Sequence, residues 1–278
     1  MNPLRRRSSA RPRRGHAGRD DESRLSLDLP AAIRRGQLRL EYQAELDLTT
    51  EEVLAVEALV RWDHPELGVL GAGRFIRIAE HNGMIGELGR WALRTACAQL
   101  AAWQDATPGL ELVLRVNVSP VQLSDRSFPD LVEQTLADTG LAGAALCIEV
   151  TEDAEPPDRA GMIDVLRRVR ASGVQVALDD FGVGRNSLLR LRELPYDVLK
   201  IDRSFVAALG TSPSESAIVA SVISLGAALG MDVVAEGIET EQALAELIRL
   251  GCRRGQGYLL GEPASAEAMA FVLSARTS

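Results

Sequence analysis

Residues 174–202 read VQVALDDFGVGRNSLLRLRELPYDVLKID, and this stretch decides the fold class. It contains two short, mainly apolar runs, Val174–Leu178 and Val198–Ile201, which are rich in β-branched residues and separated by a longer segment. Runs of this composition are typical of strands buried in a parallel sheet. Because each run ends in charged residues, the stretch also predicts that functional side chains follow the strands.

The same alternation of short apolar runs with longer amphipathic segments extends from Leu25 toward the end of the chain. The other predicted strands are Leu38–Glu45, Val53–Val60, Leu112–Val118, Leu146–Val150, Val233–Ala235 and a run around Gly255–Leu259. The predicted helices are Gly86–Trp103, Ser214–Leu229, Glu241–Leu250 and Glu267–Leu273. This order predicts an α/β protein, and eight strands in about 250 residues favour a TIM-like (β/α)8 barrel. A doubly wound open sheet is the weaker alternative, because the sequence has neither a Gly-x-Gly-x-x-Gly after an early strand nor a P-loop.

Residues 1–24 differ in composition from the rest of the chain. They hold eight Arg, three acidic residues and no apolar run, so we predict a disordered Arg-rich tail before one domain at residues 25–278. The tail lacks the apolar stretch of roughly 7–15 residues that a signal peptide contains. A solvated leader is the preferred interpretation, ahead of a weak anchor for acidic lipid, nucleic acid or a protein partner.

Composition argues against several classes of function. The chain has 278 residues, of which 46% are apolar, and no run of about 18 apolar residues that would predict a transmembrane segment. Its net charge of −8 disfavours sequence-specific nucleic-acid binding, which needs a positive surface. The three cysteines, Cys97, Cys147 and Cys252, lie far apart without a Cys-x-x-Cys pair. That spacing disfavours disulfides and zinc and favours a cytoplasmic protein.

Polar side chains end most of the predicted strands. They are Glu57, Asn117, Glu149, Asp179, Asp180, Lys200, Glu236 and Gln256. In a barrel these positions converge on the carboxyl-end rim, where active sites lie. So many carboxylates need positive compensation beyond Lys200, which is the one lysine of the chain. Oxygen ligands favour Mg²⁺ or Mn²⁺, and the adjacent pair Asp179 and Asp180 suggests two-metal phosphoester hydrolysis.

Other candidate residues are weaker. A single strand-end carboxylate would more often be half of a satisfied salt bridge, so the number of carboxylates is what favours metal. His64 and His81 are predicted to lie in loops or on the surface rather than to bind metal. The sequence has no Gly-x-Ser-x-Gly and no Cys–His pair at strand ends, which disfavours a side-chain nucleophile.

The segments that carry these residues resemble EAL domains, the family of cyclic di-GMP phosphodiesterases. VEALVRWDHPELG contains the triplet Glu57-Ala58-Leu59, and six motifs follow in the family's order: VNVSPVQL, CIEVTE, ALDDFG, LPYDVLKIDRSFV, VVAEGIET and GCRRGQGYLLGEP. The resemblance extends from about Leu25 to Met269. It implies a modified TIM barrel whose first strand is antiparallel, and hydrolysis of cyclic di-GMP to linear pGpG.

The resemblance also implies a role for each matching residue. One divalent ion would be held by Glu57, Asn117, Glu149 and Asp179, and a second by Asp179, Asp180 and Glu236. The implied catalytic residues are Glu236 as general base, Lys200 as a charge beside the attacking water, Gln256 as a water-orienting amide, and Glu152 as the residue that holds the loop after Asp180. The implied substrate contacts are Arg61 to phosphate, with Gln43 and Leu59 on the nucleotide side.

Several positions depart from the family pattern. They are Ala44 and Arg77 in place of prolines, and Val183, Arg185 and Asn186 in the loop after Asp180. The altered loop motivates an alternative, a catalytically weak receptor for cyclic di-GMP or an interaction module, although the set of metal-binding side chains is complete. A homodimer is possible from the resemblance alone, with this loop and the helix after Lys200 as the contacts.

Overall fold

The computed structural model describes residues 17–152, 158–183, 191, 194–210 and 213–276. Its strands are β1 Leu38–Asp47, β2 Val53–His64, β3 Gly68–Gly71, β4 Val113–Asn117, β5 Leu146–Thr151, β6 Gln175–Phe181, β7 Val198–Ile201, β8 Asp232–Ala235 and β9 Arg254–Gly255. The helices are α1 Ala17–Ala32, α2 Ile76–His81, α3 Ile85–Ala106, α4 Pro120–Leu123, α5 Phe128–Thr139, α6 Arg159–Ala171, α7 Arg203–Ala207, α8 Pro213–Leu229, α9 Glu241–Arg249 and α10 Ala266–Arg276. Single 3₁₀ turns occupy Ala72–Arg74 and Gly143–Ala145.

Eight of these strands form a closed barrel. Strands β2, β4, β5, β6, β7, β8 and β9 are parallel neighbours in that order, and β1 closes the barrel by pairing antiparallel with both β2 and β9. The short strand β3 extends the sheet outside the barrel, as the antiparallel partner of the last residues of β2. The predicted (β/α)8 barrel and its antiparallel first strand are therefore confirmed, and closure excludes the open sheet.

The last strand is shorter than predicted. The run around Gly255–Leu259 forms only the two-residue strand β9, after which the chain turns, with Leu260 N–H donating to Gly257 O at 3.0 Å. At Gly257 the backbone lies so close to Ile238 that a Cβ would collide with it. This close approach, rather than a pleated strand, explains the glycine-rich sequence.

The boundary predicted at residue 24 falls inside α1. This helix spans Ala17–Ala32 in the described part of the chain, and Leu25 and Leu29 bury its second half against the β2–β3 hairpin and α2. Residues 1–16 lie outside the described part of the chain, so a disordered tail stays a prediction there. No helix in the described ranges has both the length and the apolar character to cross a membrane.

His64 is not a surface residue, contrary to the prediction. Its ring is buried at the end of β2, where Nδ1 accepts the backbone N–H groups of Glu66 and Leu67 at 3.2 Å. Its Nε2 lies 3.2 Å from a carboxylate oxygen of Asp28 on α1. The residue thus ties α1 to the hairpin and does not take part in a metal site.

Candidate active site

The carboxyl ends of the barrel strands bring the predicted polar residues together. The register pairs Gln43 of β1 with Glu57 of β2, and Asn117 of β4 with Glu149 of β5. Because alternate residues of a strand face the same side, these side chains all enter the barrel near one rim. Asp179 and Lys200 enter at the same level from β6 and β7, whereas Glu236 and Gln256 directly follow β8 and β9.

Lys200 lies at the centre of this group. Its side chain is fully buried, and its Nζ lies near oxygens of four carboxylates: Glu236 at 2.5 Å, Glu149 at 2.9 Å, and Glu57 and Asp179 at 3.4 Å each. Burial acts to lower the pKa of Lys200, but these carboxylates outweigh it and hold the pKa well above its usual range. The ammonium is therefore charged at neutral pH. We name these five residues the Lys200 cluster.

Two amides extend the Lys200 cluster. Asn117 Nδ2 donates to Glu57 Oε1 at 2.6 Å, and Gln256 Nε2 donates to Glu57 Oε2 at 2.7 Å and to Glu236 Oε1 at 3.1 Å. Burial acts to raise the pKa of Glu57, yet Lys200 and the two amides reverse this and lower it. Glu57 is consequently the best satisfied carboxylate of the cluster.

Glu149 and Asp179 have fewer hydrogen bonds than Glu57. Neither oxygen of Glu149 has a well-formed hydrogen bond within the described residues, and the same holds for Asp179 Oδ1 and Gln256 Oε1. Burial raises the pKa of Glu149 well above its usual range, with Glu57 and Asp179 adding to the effect against Lys200. Burial likewise raises the pKa of Glu236 to about 8. One ammonium therefore does not balance four buried carboxylates.

Asp180 completes a group of oxygens that could hold a metal ion. Ligand oxygens of Asp179, Asp180 and Glu236 lie within 4.8 Å of one another. Asp180 has a left-handed backbone with φ 55°, a conformation that L-residues rarely adopt, and this directs its side chain to the rim next to Asp179. Burial and the neighbouring Asp179 raise the pKa of Asp180 to about 6.

Glu152 holds the turn that follows Asp180. Its Oε2 accepts the backbone N–H of Gly182 at 2.8 Å, and its own N–H donates to Asp179 O at 3.0 Å. Gly182 has φ 103°, and a Cβ there would lie 2.7 Å from the ring of Phe205. The turn is thus fixed from both sides. Val183 is exposed, whereas Arg185 and Asn186 lie outside the described residues.

The predicted substrate contacts lie on the outer side of the rim. Gln43 Nε2 donates to Gly261 O at 2.9 Å, and Arg61 Nε donates to Glu41 Oε2 at 2.6 Å. Leu59 is half-buried and lines a mainly apolar cavity of about 340 Å³ that also borders Glu57. The other departures lie apart from the carboxylates, with Ala44 buried in β1 and Arg77 exposed on α2.

Comparison with known proteins identifies the family. A family model described as the EAL domain matches residues 26–263, which is most of the chain. The chain belongs to the EAL domain family. The cyclic di-GMP phosphodiesterase NbdA of Pseudomonas aeruginosa is 43% identical over 255 residues, covering 91% of this chain and 32% of that protein. The chain spans less than half the length of its curated relatives; for an uncharacterized protein of Mycobacterium tuberculosis, Rv1354c, the fraction is 46%.

Solved EAL domains have the same fold. A structure of the PaMucR phosphodiesterase in complex with c-di-GMP superposes with a TM-score of 0.83 at 39% identity, covering 88% of this chain and 99% of that one. The EAL domain of DcpA from Mycobacterium smegmatis superposes with a TM-score of 0.75 at 42% identity, covering 86% and 97%. The barrel of this EAL domain is therefore that of its family.

Beneath the Lys200 cluster, this EAL domain contains a second charged group, centred on the buried residues Glu45 and Arg115, that the sequence analysis missed. Glu45 accepts from Arg115 Nε at 2.5 Å and from Arg254 Nε at 2.6 Å, and Arg254 Nη1 donates to Asp232 at 2.7 Å. We name these four residues the Glu45 cluster. A signal was present, because Arg115 stands two positions before Asn117 in an apolar strand and so faces the same side.

Proposed function

We propose that this EAL domain hydrolyses cyclic di-GMP to linear pGpG and so lowers the level of this second messenger. The proposal rests mainly on the Lys200 cluster, in which four carboxylates surround one ammonium and several carboxylate oxygens accept no hydrogen bond from the described residues. The substrate is supported by the relatives, one named a cyclic di-GMP phosphodiesterase and one solved with c-di-GMP.

We further propose two divalent ions, Mg²⁺ or Mn²⁺, as cofactors. Oxygens of Glu149 and Asp179 accept no hydrogen bond from the described residues, and carboxylates outnumber cations here; both features fit hard cations, which prefer oxygen ligands. Glu57, Asn117, Glu149 and Asp179 would hold one ion, and Asp179, Asp180 and Glu236 the other. When bound, two such ions acidify water and offset the charge that develops on a phosphodiester.

The chain's own residues would supply the remaining functions. Glu236, whose carboxylate faces the site, would accept the proton of the attacking water, and Gln256 would orient that water. Lys200 would place a fixed positive charge beside the reacting phosphate, where a localised ammonium acts strongly because it is desolvated. Glu152 would keep Asp180 in place through the Gly182 turn.

Substrate binding would use the outer rim. Arg61 would donate to a phosphate, and Gln43 and Leu59 would contact the nucleotide next to the cavity that Leu59 lines. A homodimer through the loop after Asp180 and α8 stays a proposal, since much of that loop lies outside the described residues. A cytoplasmic location is also a proposal, supported by three buried cysteines that form no disulfide.

The test is product formation from cyclic di-GMP by the purified chain with Mg²⁺ or Mn²⁺, followed by chromatography of pGpG. Asp179→Asn is the matched inactive control, because it keeps the side-chain volume and removes one charge. We expect pGpG from the wild type and none from the variant. Tight binding of cyclic di-GMP without product would instead select the receptor alternative, and neither binding nor product would overturn both.

A further inference from the structure

The β1–β2 strand pair carries a row of charged residues outward from the carboxylate site. The register places Glu41 opposite Leu59, and Arg39 opposite Arg61. These pairs follow the pair of Gln43 and Glu57 at intervals of two residues, so their side chains lie on the same face of the sheet. The row therefore continues the site toward the solvent.

Glu41 is the centre of this row. Its Oε2 accepts from Arg61 Nε at 2.6 Å, and its Oε1 accepts from Arg39 Nη1 at 2.7 Å. Arg39 Nε in turn lies 3.2 Å from both carboxylate oxygens of Asp63. The side chains of Glu41 and Arg61 are only 20% and 18% exposed, so their contact is partly shielded from water. Burial acts to raise the pKa of Glu41, but the two guanidinium groups lower it, and the carboxylate is charged at neutral pH.

These contacts fix the orientation of the Arg61 guanidinium. Nε is bound by Glu41, and Nη1 lies 3.4 Å from Val60 O, so two of the three nitrogens of a planar group are held. Among the described residues, no acceptor contacts Nη2, which leaves this nitrogen for an anion at the rim. Arg39 is shared between Glu41 and Asp63, so these four residues have no net charge, and the free Nη2 is the part of Arg61 that can donate to a phosphate.

We propose that Glu41 is a positioning residue, which holds the guanidinium of Arg61 in the orientation that binds a phosphate of the substrate. This inference rests on the proposed function, because Arg61 meets a phosphate only if a cyclic dinucleotide binds here. Glu41 itself does not contact the substrate. Its effect is on substrate affinity and passes through Arg61.

The experiment measures KM and kcat for cyclic di-GMP hydrolysis, and Kd by titration calorimetry with Ca²⁺, for wild type and variants. Glu41→Ala should raise KM and Kd about fivefold with little change in kcat, since an ordered charge-assisted contact is lost. Glu41→Gln should recover most of this, because the amide oxygen still accepts from Nε. The double variant Glu41→Ala/Arg61→Ala should have the same KM and Kd as Arg61→Ala alone, because the effects of two residues that act through one contact are not additive.

Glu246→Ala is the matched control. It breaks an ion pair with Arg249 at 2.7 Å on α9, and we expect KM to stay within about twofold of wild type. Melting temperatures identify any variant that fails to fold, and if Glu41→Ala does, Glu41→Leu replaces it, because leucine fills the same space and cannot accept from Nε. An unchanged or lower KM in Glu41→Ala, or an additive effect with Arg61→Ala, overturns the inference while the proposed function stands. Binding that depends on Glu41 without turnover overturns only the proposed hydrolysis, and no binding by wild type overturns both.

Discussion

The barrel encloses two buried charged groups that differ in their balance. In the Glu45 cluster two acidic residues face two arginines, and both oxygens of Glu45 accept hydrogen bonds. In the Lys200 cluster four carboxylates face one ammonium, and several of their oxygens accept no hydrogen bond from the described residues. Glu45 and Glu149 are both fully buried, whereas Asp232 at the edge of the Glu45 cluster is exposed. The difference between Glu45 and Glu149 therefore comes from the charges around them and not from their depth in the barrel.

The two clusters differ in whether their charges are balanced by protein groups alone. Two guanidinium groups hold the pKa of Glu45 below its usual range against the effect of burial, as in a closed salt bridge. Burial and like charges raise the pKa of Glu149 and Glu236, so the Lys200 cluster is under electrostatic strain without added cations. Only the second arrangement gains from binding a metal ion.

The largest expected effect is on turnover. Asp179→Asn should lower kcat by about 10³-fold or more, because both proposed ions lose a charged ligand. The melting temperature should stay equal or rise, since one of four repelling carboxylates is removed. Asp232→Asn makes the same chemical substitution at the exposed edge of the Glu45 cluster and should keep near-normal turnover. Steady-state assays on both variants make the comparison, and a fully active Asp179→Asn would contradict it.

The next effect is on folding stability. Arg115→Met should lower the free energy of unfolding by about 3–5 kcal/mol, because Glu45 then keeps only Arg254 as a partner in a buried site. That corresponds to a fall of about 10 °C in Tm for a domain of this size. Adding Glu45→Gln to this variant should restore part of the loss. Thermal unfolding of wild type, Arg115→Met and the double variant measures these effects. An unchanged Tm for Arg115→Met would show that the Glu45 cluster contributes little to stability.

Metal ions should raise the free energy of unfolding of the wild type, by less than Arg115→Met lowers it. Mg²⁺ or Mn²⁺ at about 100 times its Kd should add about 2.7 kcal/mol, because binding is linked to the folded state. Asp179→Asn should lose most of this gain, and Asp232→Asn should keep it. Excess chelator should abolish both the gain and the turnover. Full activity in chelator would remove the basis for the metal proposal.

The smallest effect concerns pH in the metal-free protein. The pKa of Glu236 rises from 4.5 to about 8, so its contribution to stability is present below pH 4.5 and is lost as pH rises through 8. We expect the free energy of unfolding to fall by about 2.5 kcal/mol from pH 6 to pH 8.5. Glu45, whose pKa is lowered, has the opposite sign and loses its contribution only as pH falls below 4.5.

Denaturant titrations at the two pH values test this sign. Glu236→Gln should remove most of the slope, whereas Glu45→Gln should leave it unchanged in this range. Saturating Mg²⁺ should flatten it in the wild type. A metal-free wild type that is equally stable at both pH values would show that the repulsion in the Lys200 cluster is relieved in another way.

The sequence predicts the barrel and the Lys200 cluster for the same reason. Strand–helix alternation follows directly from composition, and in parallel strands the polar residue that ends each run must lie at one rim, as Asp179 and Lys200 do. Closure by an antiparallel β1 came from the family resemblance. Hydrophobic patterning does not distinguish strand direction, because β1 is buried over most of its length and would be so in a parallel or an antiparallel position.

The Glu45 cluster could not be predicted in the same way. Glu45 and Arg115 are 70 residues apart, and they meet only because β2 pairs with both β1 and β4 in a curved sheet. Each alone is a charged residue within an apolar run, which does not reveal its partner. The length of the last strand was overpredicted for a related reason. The close contact between Gly257 and Ile238 is a tertiary feature, and a glycine in the sequence does not reveal it.

The seam between β1 and β9 has a consequence for folding. It joins residues about 200 positions apart through two residue pairs, Leu46 with Gly255 and Asp47 with Arg254, whereas β1 and β2 form a long local hairpin. Contacts between distant residues carry the larger loop-closure entropy and form late. We therefore expect the barrel to open first along this seam, and the amide of Leu48, which donates to Arg253 O, to exchange faster than those of β5 and β6.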